Sequence, residues 1–491
     1  MSTAYSQLTD TFERLSRLEH LLSIGSWDMN VMMSAKGSDA RGAAMAELGL
    51  EIQRRLAAPH IGEWLDSAAQ EPLDDMELAN VREMRREYEY ATALPPQLNE
   101  ALSIAGSRCE VAWRQQRRNN DWEGFKGNLR EVVRLSREKA ECLSERKGLS
   151  KYDALLDEFE PGMRSEVLDS VFNDLRSWLP ELVQRALEKQ KSMPLPPLQG
   201  PFPQQQQHAL ALEIMKLLQF DFGAGRLDVS VHPFSGGVPT DSRITTRYDE
   251  NDFVTSLMSV IHEMGHARYE QNLPEQFAGQ PIGLARSMGI HESQSLSFEM
   301  QLARSDAFLS LVTPLVNTHL GTHFSVEALA QRVRHVAPGK IRVDADELSY
   351  PAHVMLRYEI ERALIEGDLE VDDIPAEWDE RMQRYLGIDT RGDFANGCMQ
   401  DIHWTDGAFG YFPTYSLGAI YAAQLFKAAC RSTPTMTQQI EKGELTELFG
   451  WYNNTIWQHG RRYSSQQLIS QATGKPLDIQ DYRAHLENRY G

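Results

Sequence analysis

Cysteine is scarce in this sequence, and the few cysteines are far apart. Cys109, Cys142, Cys398 and Cys430 are the only four among 491 residues, and none forms a CxxC pair with another. This spacing excludes the cysteine patterns of structural zinc sites and provides no disulfide framework. We therefore expect four reduced thiols.

Positive charge is also in short supply. Asp and Glu outnumber Lys and Arg by 70 to 50, which gives a formal net charge of −20. Proteins that bind nucleic acid present a basic patch or stripe to the phosphate backbone. The composition therefore argues against nucleic acid as a partner and favours a soluble acidic protein.

Long apolar runs are missing. No stretch approaches the ~18 apolar residues that a membrane-spanning helix requires. The first ten residues have neither the basic start nor the apolar centre of a signal peptide. We expect no contact with membranes and a cytoplasmic location.

What the chain does contain is helical periodicity over most of its length. The length alone would suggest about three domains, but the pattern shows no clear division, and we expect one unit of residues 1–491. The proline-dense segment 193–203 separates an N-terminal part, 1–195, from the part that carries the motifs, 204–491. Apolar spacing predicts helices over 3–24, 39–56, 76–93, 97–146, 163–191, 305–318, 326–336, 352–366, 375–385, 416–430, 441–460 and 465–472.

Two short segments interrupt the helical pattern. Residues 226–232 and, more loosely, 242–248 alternate apolar and polar side chains, with Gly236, Gly237 and Pro239 between them. This pattern predicts a β hairpin or a small antiparallel sheet. An extended peptide can pair with the edge of such a strand.

The next segment, 259–269, contains His262, Glu263 and His266 in the pattern His-Glu-x-x-His. Residues four apart share one face of a helix, so the two imidazoles can bind one cation while Glu263 acts on a water molecule. A surface helix with two ordinary histidines is the alternative, but the flanking residues are largely apolar. Gly265 lowers helix stability by about 1 kcal/mol relative to alanine, which indicates close approach of a substrate or another backbone.

A catalytic zinc ion needs a third protein ligand. The variant of the motif with a third histidine shortly afterwards is absent. Glu292 lies 26 residues after His266, which leaves room for a turn and a second helix. It would complete a His-His-Glu set with one open coordination position. His291 and Glu299 are competing candidates, and a simple role for Glu292 at a helix N-terminus is the alternative.

These motifs resemble those of the M32 family of metallopeptidases, the thermostable carboxypeptidase Taq type. The family pattern also appears in four further stretches, in the expected order, and more loosely at 26–28 and 152–156. The four are His-Pro-Phe at 232–234, Asp-Ser-Arg-Ile-Thr at 241–245, Ile-Arg-Val-Asp-Ala-Asp at 341–346 and Gly-Cys-Met-Gln-Asp-Ile-His-Trp at 397–404.

The resemblance implies a mainly α-helical body with a deep substrate groove, roofed by the helices of 1–195, and a small sheet beside the metal helix. It implies a carboxypeptidase of broad specificity that releases C-terminal proline poorly and forms a homodimer. The cofactor would be one divalent ion per chain, zinc by default, with cobalt as a possible substitute.

The loop 403–415 offers groups for stabilising the oxyanion of an attacked carbonyl. His403, Tyr411 and Tyr415 are hydrogen-bond donors on a glycine-containing loop. The resemblance favours Tyr415, then Tyr411, with His403 also in the pocket. Packing of an aromatic core is the alternative.

A carboxypeptidase must also bind the terminal carboxylate of its substrate, and arginine does so best, through paired hydrogen bonds. Arg342 is our first candidate and Arg243 the second. Either could instead form a structural ion pair, and the nearby candidates for its partner are Asp241, Asp344 and Asp346.

Two further residues remain open. Asp346 could orient a metal ligand or the arginine, and His232 could line the pocket or cap the hairpin.

Two other functions compete with the carboxypeptidase. An oligopeptidase or endopeptidase would share the zinc site and lack carboxylate recognition. A non-catalytic peptide-binding scaffold would not need Glu263, whose presence argues against it.

Overall fold

Helices make up most of the computed structural model, which describes residues 3–491. The mainly α-helical class predicted from the sequence is confirmed. The helices are α1 (Ala4–Val31), α2 (Ser38–Leu56), α3 (Pro59–Ala68), α4 (Asp75–Ala91), α5 (Pro96–Arg118), α6 (Trp122–Lys147), α7 (Lys151–Phe159), α8 (Ser165–Gln190), α9 (Gln204–Leu217), α10 (Phe253–Glu270), α11 (Met288–Leu296), α12 (Asp306–Leu320), α13 (Val326–Val333), α14 (Tyr350–Glu366), α15 (Ile374–Leu386), α16 (Pro413–Ser432), α17 (Met436–Glu441), α18 (Thr446–Thr455), α19 (Ser465–Thr473) and α20 (Ile479–Tyr490).

The helix predicted over 97–146 is two helices. The chain turns between α5 and α6 at Asn120, whose φ of 54° lies in the left-handed region that asparagine tolerates better than most residues. Asp121 then caps α6 by accepting a hydrogen bond from the amide of Gly124 at 2.9 Å. The helices α3, α7, α17 and α20 were not predicted.

The strands form one small sheet, β1 (Gly225–Val229), β2 (Ser235–Val238) and β3 (Asp241–Thr246), in the order β1-β3-β2. β2 and β3 form the antiparallel hairpin. The two strands predicted from alternation, β1 and β3, are parallel neighbours and not an antiparallel pair. The chain reverses twice between them, because residues 235–238 form a strand of their own, so β3 runs in the direction of β1.

The apolar side chains form two cores. The larger core includes residues of α5–α20. The smaller core belongs to the N-terminal helix group, α1–α4, and contains Leu8, Phe12, Leu15, Ile52, Ile61, Leu65, Ala68, Val81 and Met84. The division proposed at 193–203 stays a prediction.

Polar bonds to main-chain atoms attach the N-terminal helix group to the rest of the protein. The hydroxyl of Ser23 accepts from the amide of Gly237 at 3.2 Å and donates to its carbonyl at 3.0 Å. The guanidinium groups of Arg82 and Arg86 donate to the carbonyls of Arg461, Arg462, Asp157 and Glu158. The group therefore covers the free edge of β2.

Among residues 3–491, no helix combines the length and the apolar character needed to cross a bilayer.

Candidate active site

Helix α10 carries the His-Glu-x-x-His motif through the interior of the protein. Asp252 caps its first turn by accepting from the amide of Val254 at 3.0 Å. Leu257, Val260, Ile261 and Met264 are buried along the helix. The motif therefore belongs to a core helix and not to a solvated surface helix.

Gly265 permits close contact between α10 and α11. A Cβ atom at residue 265 would lie 2.4 Å from the carbonyl oxygen of Gln294 and 2.4 Å from the Cα of Ser295. The expected close approach is thus made by another backbone. Gly418 on α16 does the same on the opposite side, since its Cβ would lie 2.6 Å from Cγ of Glu292. Glu292 is held between the two helices.

The three residues proposed as metal ligands lie together. Oε2 of Glu292 is 3.4 Å from Nε2 of His266 and 3.8 Å from Nε2 of His262. One potential ligand atom from each residue lies within 4.8 Å of the other two. Two imidazole nitrogens and one carboxylate oxygen are the donor set of a catalytic zinc site.

The competing candidate Glu299 lies behind His262. It belongs to the π-helical segment Ser297–Ala303, which directly follows α11. Its Oε2 is 3.0 Å from Nδ1 of His262, and its Oε1 accepts from Arg304 at 2.8 Å. With Nδ1 bonded to a carboxylate, Nε2 of His262 is the nitrogen left for a metal.

The competing candidate His291 lies behind His266 in a similar way. Its Nδ1 is 2.7 Å from Nδ1 of His266, and its Nε2 is 2.8 Å from Oε1 of Glu270. Glu299 and His291, the two competing candidates, therefore each contact the Nδ1 of a histidine whose Nε2 faces Glu292.

The charge states of the buried groups fit a cation site. Burial lowers the pKa of His266 to about 4, so its imidazole is neutral, as a metal ligand must be. Burial also lowers the pKa of His262, but Glu292 and Glu299 outweigh it and raise that pKa to about 10. A bound cation would displace this proton.

Glu263 is 6 % exposed, and its Oε2 has no hydrogen-bond partner within residues 3–491. Burial raises the pKa of its carboxyl to about 7. An unpartnered buried carboxylate oxygen is costly unless a further group binds it. The arrangement fits a base that acts on a water molecule beside a metal.

Arg342 lies in a buried pocket with more positive than negative charge. It is 6 % exposed, its Nε donates to Asp401 at 2.9 Å, and its Nη1 donates to Tyr350 at 3.0 Å. The fully buried Arg357 donates to the same Asp401 at 2.6 Å. Two guanidinium groups share one carboxylate, so an anion would complete the charge balance.

Asp346 has a different role from those proposed for it. Its Oδ1 accepts from the amides of Leu348 and Ser349 at 3.0 and 2.9 Å, and its Oδ2 accepts from the amide of Ala337 at 3.0 Å. It stabilises the turn before α14. Asp401, and neither Asp344 nor Asp346, pairs with Arg342.

The two remaining candidates for substrate binding lie in or beside the small sheet. Arg243 donates from Nε and Nη2 to Asp241 at 2.9 and 2.6 Å and stacks on Trp27 at 4.5 Å. This is the structural ion pair considered as its alternative. His232 is exposed in the loop between β1 and β2 and belongs to none of the contacts of the metal-ligand set.

The aromatic loop borders the arginine pocket, and it ends at Phe412, so Tyr415 lies in the first turn of α16 and not in a loop as predicted. Nε2 of His403 is 3.2 Å from Oη of Tyr415, and the guanidinium of Arg342 lies 4.9 Å from the Tyr415 ring centre. Burial raises the pKa of Tyr415 to about 12, and the charge of nearby Glu292 adds to the rise. The phenol is therefore a neutral donor close to the metal ligands. Oη of Tyr411 lies 3.8 Å from Sδ of Met288, and its ring centre lies 5.4 Å from that of Tyr415.

Two carboxylates of this region, Asp401 and Glu361, were not predicted from the sequence. Asp401 lies inside the 397–404 stretch, so that motif was the available signal. Glu361 accepts from Tyr152 at 2.6 Å, from Trp404 at 3.2 Å and from the amide of Gly410 at 3.1 Å, which holds the aromatic loop in place. Its neighbours in sequence give no sign of this.

Comparison with known proteins agrees with the geometry. Residues 7–490 match the family described as carboxypeptidase Taq (M32) metallopeptidase. The chain is 38% identical over 503 residues to thermostable carboxypeptidase 1 of Thermus thermophilus, covering 99% of this chain and 98% of that protein. It is 33% identical over 495 residues to carboxypeptidase 1 of Bacillus subtilis, with the same coverage.

Solved structures give the same result. Metallocarboxypeptidase 1 of Trypanosoma cruzi superposes with a TM-score of 0.97 at 45% identity, covering 99% of both chains. The Pyrococcus furiosus carboxypeptidase gives a TM-score of 0.94 at 30% identity, covering 100% of this chain and 99% of that one. The chain therefore belongs to the carboxypeptidase Taq (M32) family of metallopeptidases, which implies a metal cofactor.

Proposed function

We propose that this protein is a zinc-dependent metallocarboxypeptidase that hydrolyses the C-terminal peptide bond of peptides. The observation that carries the proposal is the convergence of His262, His266 and Glu292 beside the buried carboxylate of Glu263, whose Oε2 has no partner among residues 3–491. These three ligands would hold one divalent ion per chain. Zinc suits this nitrogen and oxygen set, and cobalt could replace it.

A divalent ion at this position supplies Lewis acidity, which lowers the pKa of water and polarises a carbonyl group. Glu263 accepts a proton from the attacking water and passes it to the nitrogen of the leaving amine. The raised pKa of its carboxyl, about 7, suits a group that must both take and release a proton near neutral pH.

Tyr415 donates its Oη–H to the oxyanion that develops on the scissile carbonyl. Burial lowers the pKa of His403 to about 3, so its imidazole is neutral. In the substrate-free site this imidazole can accept a hydrogen bond from the hydroxyl of Tyr415. Tyr411 is the second candidate, with a weaker contact of its own.

Arg342 binds the terminal carboxylate of the peptide. Asp401 fixes its Nε and Tyr350 its Nη1, so the guanidinium plane is set before the substrate arrives. Every peptide has a terminal carboxylate whatever its last side chain. Recognition of that group supports broad specificity. We also expect the protein to be cytoplasmic and to form a homodimer. We expect residues 1–195 to form the roof of a substrate groove.

One peptide in two forms, free acid and C-terminal amide, tests the proposal with zinc-loaded protein and mass spectrometry. We expect stepwise loss of residues from the free acid alone, stopped by a chelator and by Glu263→Gln. Internal cleavage of both forms would favour the oligopeptidase. No cleavage of either form, with bound zinc verified, would favour the peptide-binding scaffold.

A further inference from the structure

Three side chains form a row behind the metal ligand His266. Its Nδ1 lies 2.7 Å from Nδ1 of His291, whose Nε2 lies 2.8 Å from Oε1 of Glu270. The two imidazole rings are 4.7 Å apart between centres. The side chains of His266 and His291 are only 14% and 18% exposed, so water competes weakly for these bonds.

The carboxylate of Glu270, at the end of the row, determines which nitrogens donate and which accept. An ionised carboxylate only accepts, so Nε2 of His291 must donate to Glu270. When His291 is neutral, its other nitrogen is an acceptor, and Nδ1 of His266 then carries the proton that it accepts. Nε2 of His266 is left with a free lone pair, 3.4 Å from Oε2 of Glu292.

We propose that His291, held by Glu270, is a positioning residue that fixes the tautomer of His266 and so directs its Nε2 to the metal. The inference rests on the proposed metal site and extends it to two residues beyond the ligand set. Without the acceptor at His291, His266 can carry its proton on Nε2 or rotate, and either change removes a ligand.

The helices explain why an intermediate imidazole is present. Glu270 is the last residue of α10 and lies one turn after His266 on the same face, and its Oε1 bonds to Nε2 of His291 at 2.8 Å. His291 on α11 closes the gap and immediately precedes Glu292. One turn of α11 therefore supplies both a ligand and the support of another ligand. His262 differs, since Glu299 accepts from it directly.

The affinity of the metal-free protein for zinc, measured by competition with a chromogenic chelator, tests the proposal without using activity. His291→Phe keeps a ring and removes the acceptor, and we expect zinc affinity to fall roughly 10- to 100-fold. His291→Asn keeps an acceptor close to the Nδ1 position and should recover most of the affinity. Glu270→Gln keeps an acceptor without charge and should give a smaller loss than His291→Phe.

His208→Phe is the matched control. His208 is also partly buried, and its Nδ1 lies 3.0 Å from Oη of Tyr248. The zinc affinity of the His208→Phe variant should match that of the wild type. Thermal melting of each metal-free variant checks that it is folded, and a destabilised Phe variant is replaced in the comparison by Glu270→Gln.

Unchanged zinc affinity in a folded His291→Phe variant would overturn the proposal. Equal losses in His291→Phe and His291→Asn would also overturn it, because packing of the ring would then be the cause. Failure of the peptidase proposal looks different: the wild type would bind zinc, the variants would lose affinity as expected, and no peptide would be cleaved.

Discussion

The Cα atom of Ser295 lies against Gly265, where a side chain on residue 265 would begin 2.4 Å away from it. This contact sets the depth at which α11 crosses α10. Glu292 lies one turn before Ser295 and reaches His266 at 3.4 Å because the two helices are this close. The glycine in the motif is therefore a condition for the position of the proposed third ligand, Glu292.

We predict that Gly265→Ala lowers both stability and zinc affinity. The new methyl group meets backbone atoms, which cannot rotate away, so overpacking should cost about 1–3 kcal/mol and exceed the ~1 kcal/mol gain in helix propensity. Thermal melting and chelator competition measure the two effects. Gly127→Ala in α6 is the control, since no atom lies within 4 Å of its added Cβ. Similar behaviour of the two variants would refute the prediction.

Tyr415→Phe should lower kcat by about 100-fold or more, because one donor to the oxyanion is lost. The substrate's KM and the zinc content should change little, since the ring still packs beside Arg342. Tyr411→Phe should have a smaller effect, because its Oη lies beside Sδ of Met288, a weak hydrogen-bond partner, at 3.8 Å. Steady-state kinetics on one free-acid peptide compares them, and a larger loss for Tyr411→Phe would exchange their roles.

Arg342→Lys should weaken productive binding of free-acid peptides by roughly 100-fold in kcat/KM, since lysine cannot make paired hydrogen bonds to a carboxylate. Arg243→Lys is the matched comparison, because Nε and Nη2 of Arg243 both pair with the carboxylate of Asp241 in a structural ion pair. Its kcat/KM should stay within a few-fold of the wild type. If Arg243→Lys lowers kcat/KM more than Arg342→Lys does while zinc remains bound, then Arg243 in the small sheet binds the terminal carboxylate of the peptide.

Glu347 ties α20 to the body and should make stability depend on pH. It is 2 % exposed and accepts from His485 at 2.7 Å, Arg489 at 2.8 Å and Tyr490 at 2.7 Å. Burial raises the pKa of its carboxyl, but Arg489 and His485 outweigh burial and hold the pKa well below its usual range. The ionised Glu347 therefore contributes its full stabilisation at any pH above the pKa that this carboxyl has in the unfolded chain. The contribution is lost as pH falls toward the lower pKa of the folded protein.

Glu347→Gln should accordingly destabilise the protein by about 3–5 kcal/mol at pH 7, because it leaves Arg489 buried without its counter-charge. The difference from the wild type should shrink once pH falls below about 4. Melting curves at several pH values measure it. Glu51→Gln, which breaks exposed pairs with Arg54 and Arg55, should leave stability unchanged. A Glu347→Gln effect that does not depend on pH would contradict the charge argument.

The sequence predicted the helical class and brought His262, His266 and Glu292 together correctly as a geometric set. Periodicity reports which face of a helix is buried, and fixed spacing within one helix determines which side chains share a face. Neither property reaches across separate elements. That is why spacing alone left His291 and Glu299 as competitors of Glu292, since the three differ in where α11 and its π-helical continuation point them.

The sequence also did not predict contacts between residues far apart in the chain. Asp401 is 59 residues from Arg342, and closer aspartates in the chain looked equally suitable. The parallel pairing of β1 with β3 depended on whether residues 235–238 formed a strand, and glycines there gave no signal for it. In each case the missing information was the path of the chain between two correctly recognised segments.

The bonds that attach α1–α4 to the body have a consequence for how this sequence can vary. The donors are the side chains of Arg82 and Arg86, but the acceptors are main-chain carbonyls of Arg461, Arg462, Asp157 and Glu158. Every amino acid has that carbonyl. These four bonds therefore survive substitutions on the acceptor side, and each is lost when the arginine that donates it is replaced. Arg461 and Asp157 also attach α4 through their side chains, since Arg461 donates to Glu87 at 2.6 Å and Asp157 accepts from Tyr90 at 2.9 Å. Among the four acceptor residues, Arg462 and Glu158 should therefore tolerate substitution best at this joint.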